Sequence, residues 1–131
     1  MKVIILAAGR GSRLENLTQN KPKCMCTVLG KTLIERCIET LNKAGFQNED
    51  IGIVTGYKND LINIPGITYF HNNKWKESNM VYSLLQAKLW LKSYDCLIVY
   101  SDIIFSHLLI NDICKYDYPI LIPYYVKAKE L

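Results

Sequence analysis

Between Leu6 and Lys23 the chain sets small residues and cations in an order suited to holding a compact anion. The run Leu6-Ala7-Ala8-Gly9-Arg10-Gly11-Ser12-Arg13-Leu14 lets the backbone approach a ligand closely, and successive free N–H groups in such a run can cradle oxyanions. Arg13 offers a planar fork for bidentate contact, and Lys23 a compact point charge. Residues 1–31 hold Lys2, Arg10, Arg13, Lys21, Lys23 and Lys31 against a single acid, Glu15. Two other phosphate-binding loops are excluded on detail. A Walker A loop needs Gly-Lys-Ser/Thr at fixed spacing, which never follows. The dinucleotide fingerprint needs a small third residue where Leu14 stands, and a helix at once, whereas Asn16–Pro22 is polar and ends in proline.

A carboxylate stands much further along, in Tyr100-Ser101-Asp102. Mg2+ prefers hard oxygens and takes one or two carboxylates, completing its shell with phosphate and water, so Asp102 is a candidate ligand. A turn or helix cap is the competing reading of the same residue. Asp95 and Asp112 read as a loop acid and a helix-surface acid. Gly56-Tyr57 and the polar run Asn72–Ser83 are the remaining candidates for ligand contact. Asn79 and Ser83 stand one helical turn apart and could offer polar groups to a ligand. Asn79 also suits an N-cap, and Ser83 suits simple packing. Tyr82, Trp75 and Trp90 could form a cage for a quaternary cation, but read more naturally as core or surface aromatics.

These residues have to be positioned by alternating elements. Lys2–Leu6 is a β-branched run that predicts a buried strand, followed by a long loop through Pro22. Thr32–Ala44 carries the clearest helical period, with Thr32 and Glu35 spaced for a capping box and Gly45 placed as a stop. Ile51–Thr55 predicts a second strand, Asn59–Gly66 a loop and Ile67–Phe70 a third strand. Met80–Leu91 predicts one helix, and Cys96–Tyr100 a strand. Ser106 can cap a short helix to about Lys115, and Pro119–Pro123 predicts a last strand. Strands alternating with helices imply an α/β domain, with helices on both faces of a mostly parallel sheet. The loops after Gly9, Gly56 and Tyr100 all follow strand ends, so they should converge on one crevice at the carboxyl edge.

The bulk properties agree with a single globular domain over residues 1–131. Half the residues are hydrophobic and 21% are charged, which argues against disorder. No apolar run is long enough to span a bilayer, and the first residues lack a signal-peptide core, so a cytoplasmic protein is expected. Cys24, Cys26, Cys37, Cys96 and Cys114 are odd in number and lack a CxxC pair, and His71 and His107 are the only histidines, so zinc is not expected. The net charge of +4 is mild, and the basic segment lacks the aromatic or helical presentation typical of nucleic-acid surfaces.

The segment Leu6–Leu14 resembles the signature of the sugar-phosphate and choline-phosphate nucleotidyltransferase superfamily, Leu-Ala-Ala-Gly-x-Gly-x-Arg-Leu followed by a Pro-Lys pair, here Pro22-Lys23. The resemblance implies a Rossmann-like three-layer α/β/α fold of the nucleotide-diphospho-sugar transferase type. It implies that Leu6, Ala7, Ala8 and Gly9 hold the base and ribose, with Gly11 and Ser12 near the phosphates. Arg13 and Lys23 would grip the β- and γ-phosphates as catalytic residues, and Asp102 would ligate Mg2+ at the α-phosphate. The pattern Asn79-x-x-x-Ser83-Leu84 with Tyr100–Phe105 looks most like bacterial phosphocholine and phosphonate cytidylyltransferases. That implies CTP as the nucleoside triphosphate, a phosphorylated small molecule as acceptor, and Gly56 and Tyr57 bordering the same pocket. The family's enzymes are longer, so residues 1–131 are expected to be the nucleotide-binding part, completed by a missing carboxyl-terminal part or by homo-oligomerisation. A catalytically incomplete nucleotide-binding fragment and a sugar-1-phosphate nucleotidyltransferase are the alternatives.

Overall fold

Val3, Ile4 and Ile5 are all fully buried, so consecutive side chains of strand β1 (Lys2–Ala7) are covered on both faces. That is the mark of a central strand in a parallel sheet. In the computed structural model, which describes residues 1–123, β1 pairs in parallel with β4 (Ile51–Thr55) on one side and β6 (Cys96–Tyr100) on the other. β5 (Thr68–His71) adds in parallel to β4, giving the order β5-β4-β1-β6. The register Val3↔Ile51 and Val3↔Leu97 keeps the same faces together across the sheet.

One face buries Val3, Ile5, Ile51, Ile53 and Val99 against Ile34, Cys37, Ile38 and Leu41 of helix α1 (Leu33–Lys43). Helix α4 (His107–Ile113) packs beside α1, with Ile110 buried. The other face buries Ile4 and Val54 under Leu84, Ala87, Trp90 and Leu91. The expected three-layer α/β/α arrangement is therefore present. α1 begins at the expected capping box: Thr32 Oγ1 accepts from the Glu35 amide at 3.3 Å, and the Glu35 carboxylate accepts from the Thr32 amide at 2.7 Å. Bonds from Thr32 hold the Glu35 carboxyl below its ordinary range.

Three sequence expectations are corrected. The helix expected over Met80–Leu91 is two helices, α2 (Met80–Leu85) and α3 (Lys88–Ser93), joined at Ala87 (φ −91°, ψ 22°). Tight bonds from the Gln86 amide to Ser83 and from the Ala87 amide to Leu84 shorten the turn. This seats the fully buried Ala87 on the sheet and swings Trp90 against Phe70, edge to face at 5.2 Å. Residues Pro119–Pro123 form no strand, and Ile120 and Ile122 are about four-fifths exposed. Within the stretch expected to be irregular, Ser12–Thr18 coils into a 3-10 turn, kinked at Glu15 and tied back by the Thr18 hydroxyl to the Gly11 carbonyl at 3.1 Å. An unforeseen hairpin follows, β2 (Thr27–Val28) with β3 (Lys31–Thr32), around Leu29 (φ 47°) and Gly30 (φ 80°). Two positive φ values make this the turn that matches strand twist.

Candidate functional site

The carboxyl ends of β1, β4, β5 and β6 bring the sequence candidates to one edge of the sheet. The β1 loop is stitched to its neighbours through the backbone: the Tyr57 amide donates to the Ala8 carbonyl at 2.9 Å, and the Ser101 amide to the Leu6 carbonyl at 3.2 Å. Ala7 and Ala8 are buried, and Leu6 is half-buried. Gly9 is exposed, with open space where a side chain would stand. Gly11 is different. It sits at φ 73°, and a Cβ there would meet Lys23 Cβ at 2.9 Å. The stem of Lys23 is thus folded over the glycine loop, held by buried Pro22 and Cys24 on either side in sequence.

From that position the Lys23 ammonium forms an ion pair with the carboxylate of Asp102, residues 79 apart in the chain. Both side chains remain about a third exposed, so the pair is open to solvent. Arg13 and Ser12 are exposed, and Arg13 makes no hydrogen bond or ion pair among the described residues. Its guanidinium is therefore available to an incoming anion. No cluster of three His, Cys, Asp or Glu side chains occurs among the described residues. Asp102 suits a divalent cation only as one carboxylate sharing it with phosphate oxygens and water, a donor set that fits Mg2+.

Gly56 is buried at the end of β4. A Cβ on it would meet Trp75 Cβ at 2.5 Å and the Ala8 carbonyl at 2.6 Å, so its place is to let the β4 and β1 ends touch. Tyr57 stands between the loops: its hydroxyl donates to the Gln19 carbonyl at 2.5 Å and its ring packs on Trp75 at 5.1 Å. Asn79 is the N-cap of α2, its Oδ1 accepting from the Tyr82 amide at 3.0 Å. Ser83 is buried, with its hydroxyl accepting from Asn72 Nδ2 at 2.9 Å. The aromatic faces carry the chain's own cations: Arg10 and Lys58 lie 5.8 and 6.0 Å from the Tyr57 ring, and Lys74 lies 6.0 Å from Tyr82.

Two residues were named in the sequence only as members of a group. Asn72 is fully buried and bonds Ser78, Ser83 and the Lys74 amide, anchoring the segment that leads to Asn79. Arg10 was visible only as one cation of a cluster. Its Nε is buried without a hydrogen-bond partner.

Concavities of about 380 and 460 Å³ lie at the opposite edge, around Met1, Phe46 and Cys114 and around Met1, Tyr94 and Asp95. They hold neither the glycine loop nor the paired charges.

A mostly parallel α/β sheet with helices on both faces and a glycine-rich loop after β1 is the frame of the nucleotidyltransferase fold. Residues 3–128 match the family of the MobA-like NTP transferase domain, and the chain belongs to that family. It is 39% identical over 115 residues to a CTP:phosphoglutamine cytidylyltransferase of Campylobacter jejuni, covering 80% of this chain and 45% of that protein. It is 33% identical to a UTP–glucose-1-phosphate uridylyltransferase of Haloferax volcanii, covering 81% and 45%. The solved CTP:phosphocholine cytidylyltransferase of Streptococcus pneumoniae is 37% identical, with a TM-score of 0.66, over 77% of this chain and 44% of that one. The chain spans about half the length of these relatives.

Proposed function

We propose that this chain is the nucleotide-binding part of a cytidylyltransferase that moves a CMP group from CTP to a phosphorylated small molecule and releases pyrophosphate. The observation that carries the reading is the contact of Lys23 with Asp102 above Gly11, which unites the loop cation and the strand-end acid at one point. A phosphate oxygen of the acceptor attacks the α-phosphorus in line. A new P–O bond forms as the bond to the β-phosphate bridging oxygen breaks, and the electron pair leaves with pyrophosphate. Arg13 and Lys23 neutralise charge growing on that leaving group, and fixed cations there lower the barrier. Loop N–H groups around Gly9–Ser12 orient the phosphates. Asp102, released by Lys23, is the carboxylate that would hold Mg2+, and the ion would supply positive charge against the phosphates.

CTP is favoured by the cytidylyltransferase relatives. The uridylyltransferase relative supports a second reading, a sugar-1-phosphate nucleotidyltransferase preferring UTP. The acceptor pocket is assigned to a further part of the protein or to a second copy, because the relatives are about twice as long. Five free cysteines support a reducing, cytoplasmic setting.

The test is calorimetric titration with CTP, UTP, GTP and ATP in the presence of Mg2+. Selective CTP binding, weakened by Arg13→Ala and Lys23→Ala, is expected. Asp102→Ala should keep the nucleotide and lose its Mg2+ dependence. Absence of binding by all four triphosphates would sink the proposal.

A further inference from the structure

We infer that Arg10 is a phosphate-oxyanion ligand of this site, preset on the Tyr57 ring. The inference rests on the nucleotide-binding reading above and adds a residue that the signature leaves free, since position 10 is its first variable place.

Arg10 Nε is a buried donor with no hydrogen-bond partner, and buried polar groups in folded proteins are nearly always satisfied. Its guanidinium carbon lies 5.8 Å from the centroid of Tyr57, within cation–π range. Tyr57 itself is held from three sides, by its amide on Ala8, its hydroxyl on Gln19 and its ring on Trp75. An arginine laid on a fixed ring has already lost much of its rotamer freedom, so little more is lost when it engages a ligand. Lys58 Nζ stands 6.0 Å from the same ring. Lys2, Lys23, Lys31 and Lys115 each have a carboxylate partner, yet neither Arg10 nor Lys58 has one among the described residues.

Two cations at one ring, one with an unmade bond, want an anion with several oxygens. A phosphate group fits, because one guanidinium edge can bind two of its oxygens. Arg10 lies between Gly9 and Gly11, so the phosphate is one held at the β1 loop, either from the nucleotide's polyphosphate or from the acceptor.

The test uses the full chain and its Arg10→Gln and Arg10→Lys variants. CTP, CMP and inorganic pyrophosphate form one set of titrants, and phosphocholine the other. The expected result is that Arg10→Gln weakens CTP and pyrophosphate about tenfold or more, the scale of one charge-assisted hydrogen bond, while CMP changes little. Arg10→Lys should recover only part of the loss. A loss confined to phosphocholine would keep Arg10 as a phosphate ligand and assign it to the acceptor. A purely structural role predicts lower thermal stability with all affinities intact, and that outcome overturns the inference while leaving nucleotide binding standing. If the wild-type chain bound none of the four probes, the proposed function would fall first and this inference with it.

Discussion

Removing one amide, Asn72→Ala, should destabilise the domain by about 3 kcal/mol, because three bonds meet at a site closed to water. Asn72 is fully buried, and its Nδ2 donates to Ser78 Oγ and to Ser83 Oγ, each at 2.9 Å. Its Oδ1 accepts from the Lys74 amide at 2.8 Å. Each such bond contributes roughly 1 kcal/mol net, and a buried group left without its partner costs up to about 3 kcal/mol. Ser83 is only 7% exposed, so its hydroxyl would be stranded. Ser78 and Lys74 are more open and can turn to water. The loss at Ser83 therefore dominates, and vacated side-chain volume adds to it. The assay is urea unfolding followed by circular dichroism, comparing wild type, Asn72→Ala and Ser78→Ala. The midpoint of Asn72→Ala should fall with an unchanged slope, and that of Ser78→Ala should fall by about a third as much. A loss below about 1 kcal/mol in Asn72→Ala, or one no larger than in Ser78→Ala, would refute the account of Asn72 as the anchor of the segment.

Gly56→Ala should cost about 1–3 kcal/mol, measured by thermal unfolding, because its Cβ would stand 2.6 Å from a backbone oxygen that cannot rotate away; an unchanged melting temperature would contradict the packing. The Asp50 carboxyl is held below its ordinary value, first by its hydrogen bond to the Lys2 side chain and then by the Gln47 amide. A depressed carboxyl stabilises the fold above its unfolded value, near 3.8, and that share is lost as pH falls through the lower folded value. Asp50→Asn should therefore flatten the acid limb of stability against pH, and an unchanged limb would remove the assignment. Burial pushes the Cys24 and Cys37 thiols up to about 12, so both should resist disulfide-exchange labelling in the native protein near neutral pH and react only on unfolding. Exposed Cys114 should label in the folded protein, and mass-spectrometric mapping of the modified residues distinguishes them.

What the sequence revealed depended on whether the local pattern and the tertiary burial agreed. β1, β4 and β6 were legible because strands covered on both faces must be continuous apolar runs. α1 was legible because its cap, stripe and stop all fall in register. The break at Ala87 was not, since Leu84, Ala87 and Leu91 keep a helical spacing whether or not the axis bends between them. The run from Ile120 to Ile122 misled in the other direction: apolar residues suggested a strand where the described sheet offers no partner. The hairpin at 27–32 escaped because its strands are two residues long and Leu29 takes a positive φ without the usual Asn or Gly. In the site, Lys23 and Asp102 were each readable by type, but their contact joins positions that only the sheet order brings together. Asn72 was legible only as the first residue of a polar run. It is buried while the adjacent Asn73 is exposed, and composition cannot tell two asparagines apart.

The central place of β1 also governs how the domain can assemble. This strand precedes all its partners in the chain, yet it needs Ile51–Thr55 on one side and Cys96–Tyr100 on the other. Neither pairing is local, so loop-closure entropy must be met twice before the sheet becomes cooperative. During synthesis the run Val3-Ile4-Ile5-Leu6 leaves the ribosome long before β6 exists. At elongation rates of about 5–20 residues per second, that interval lasts several seconds. A sticky apolar strand exposed for that long is a natural substrate for a holding chaperone. The placement that stitches the glycine-rich loop into the middle of the finished sheet is thus also what makes the nascent chain vulnerable to aggregation.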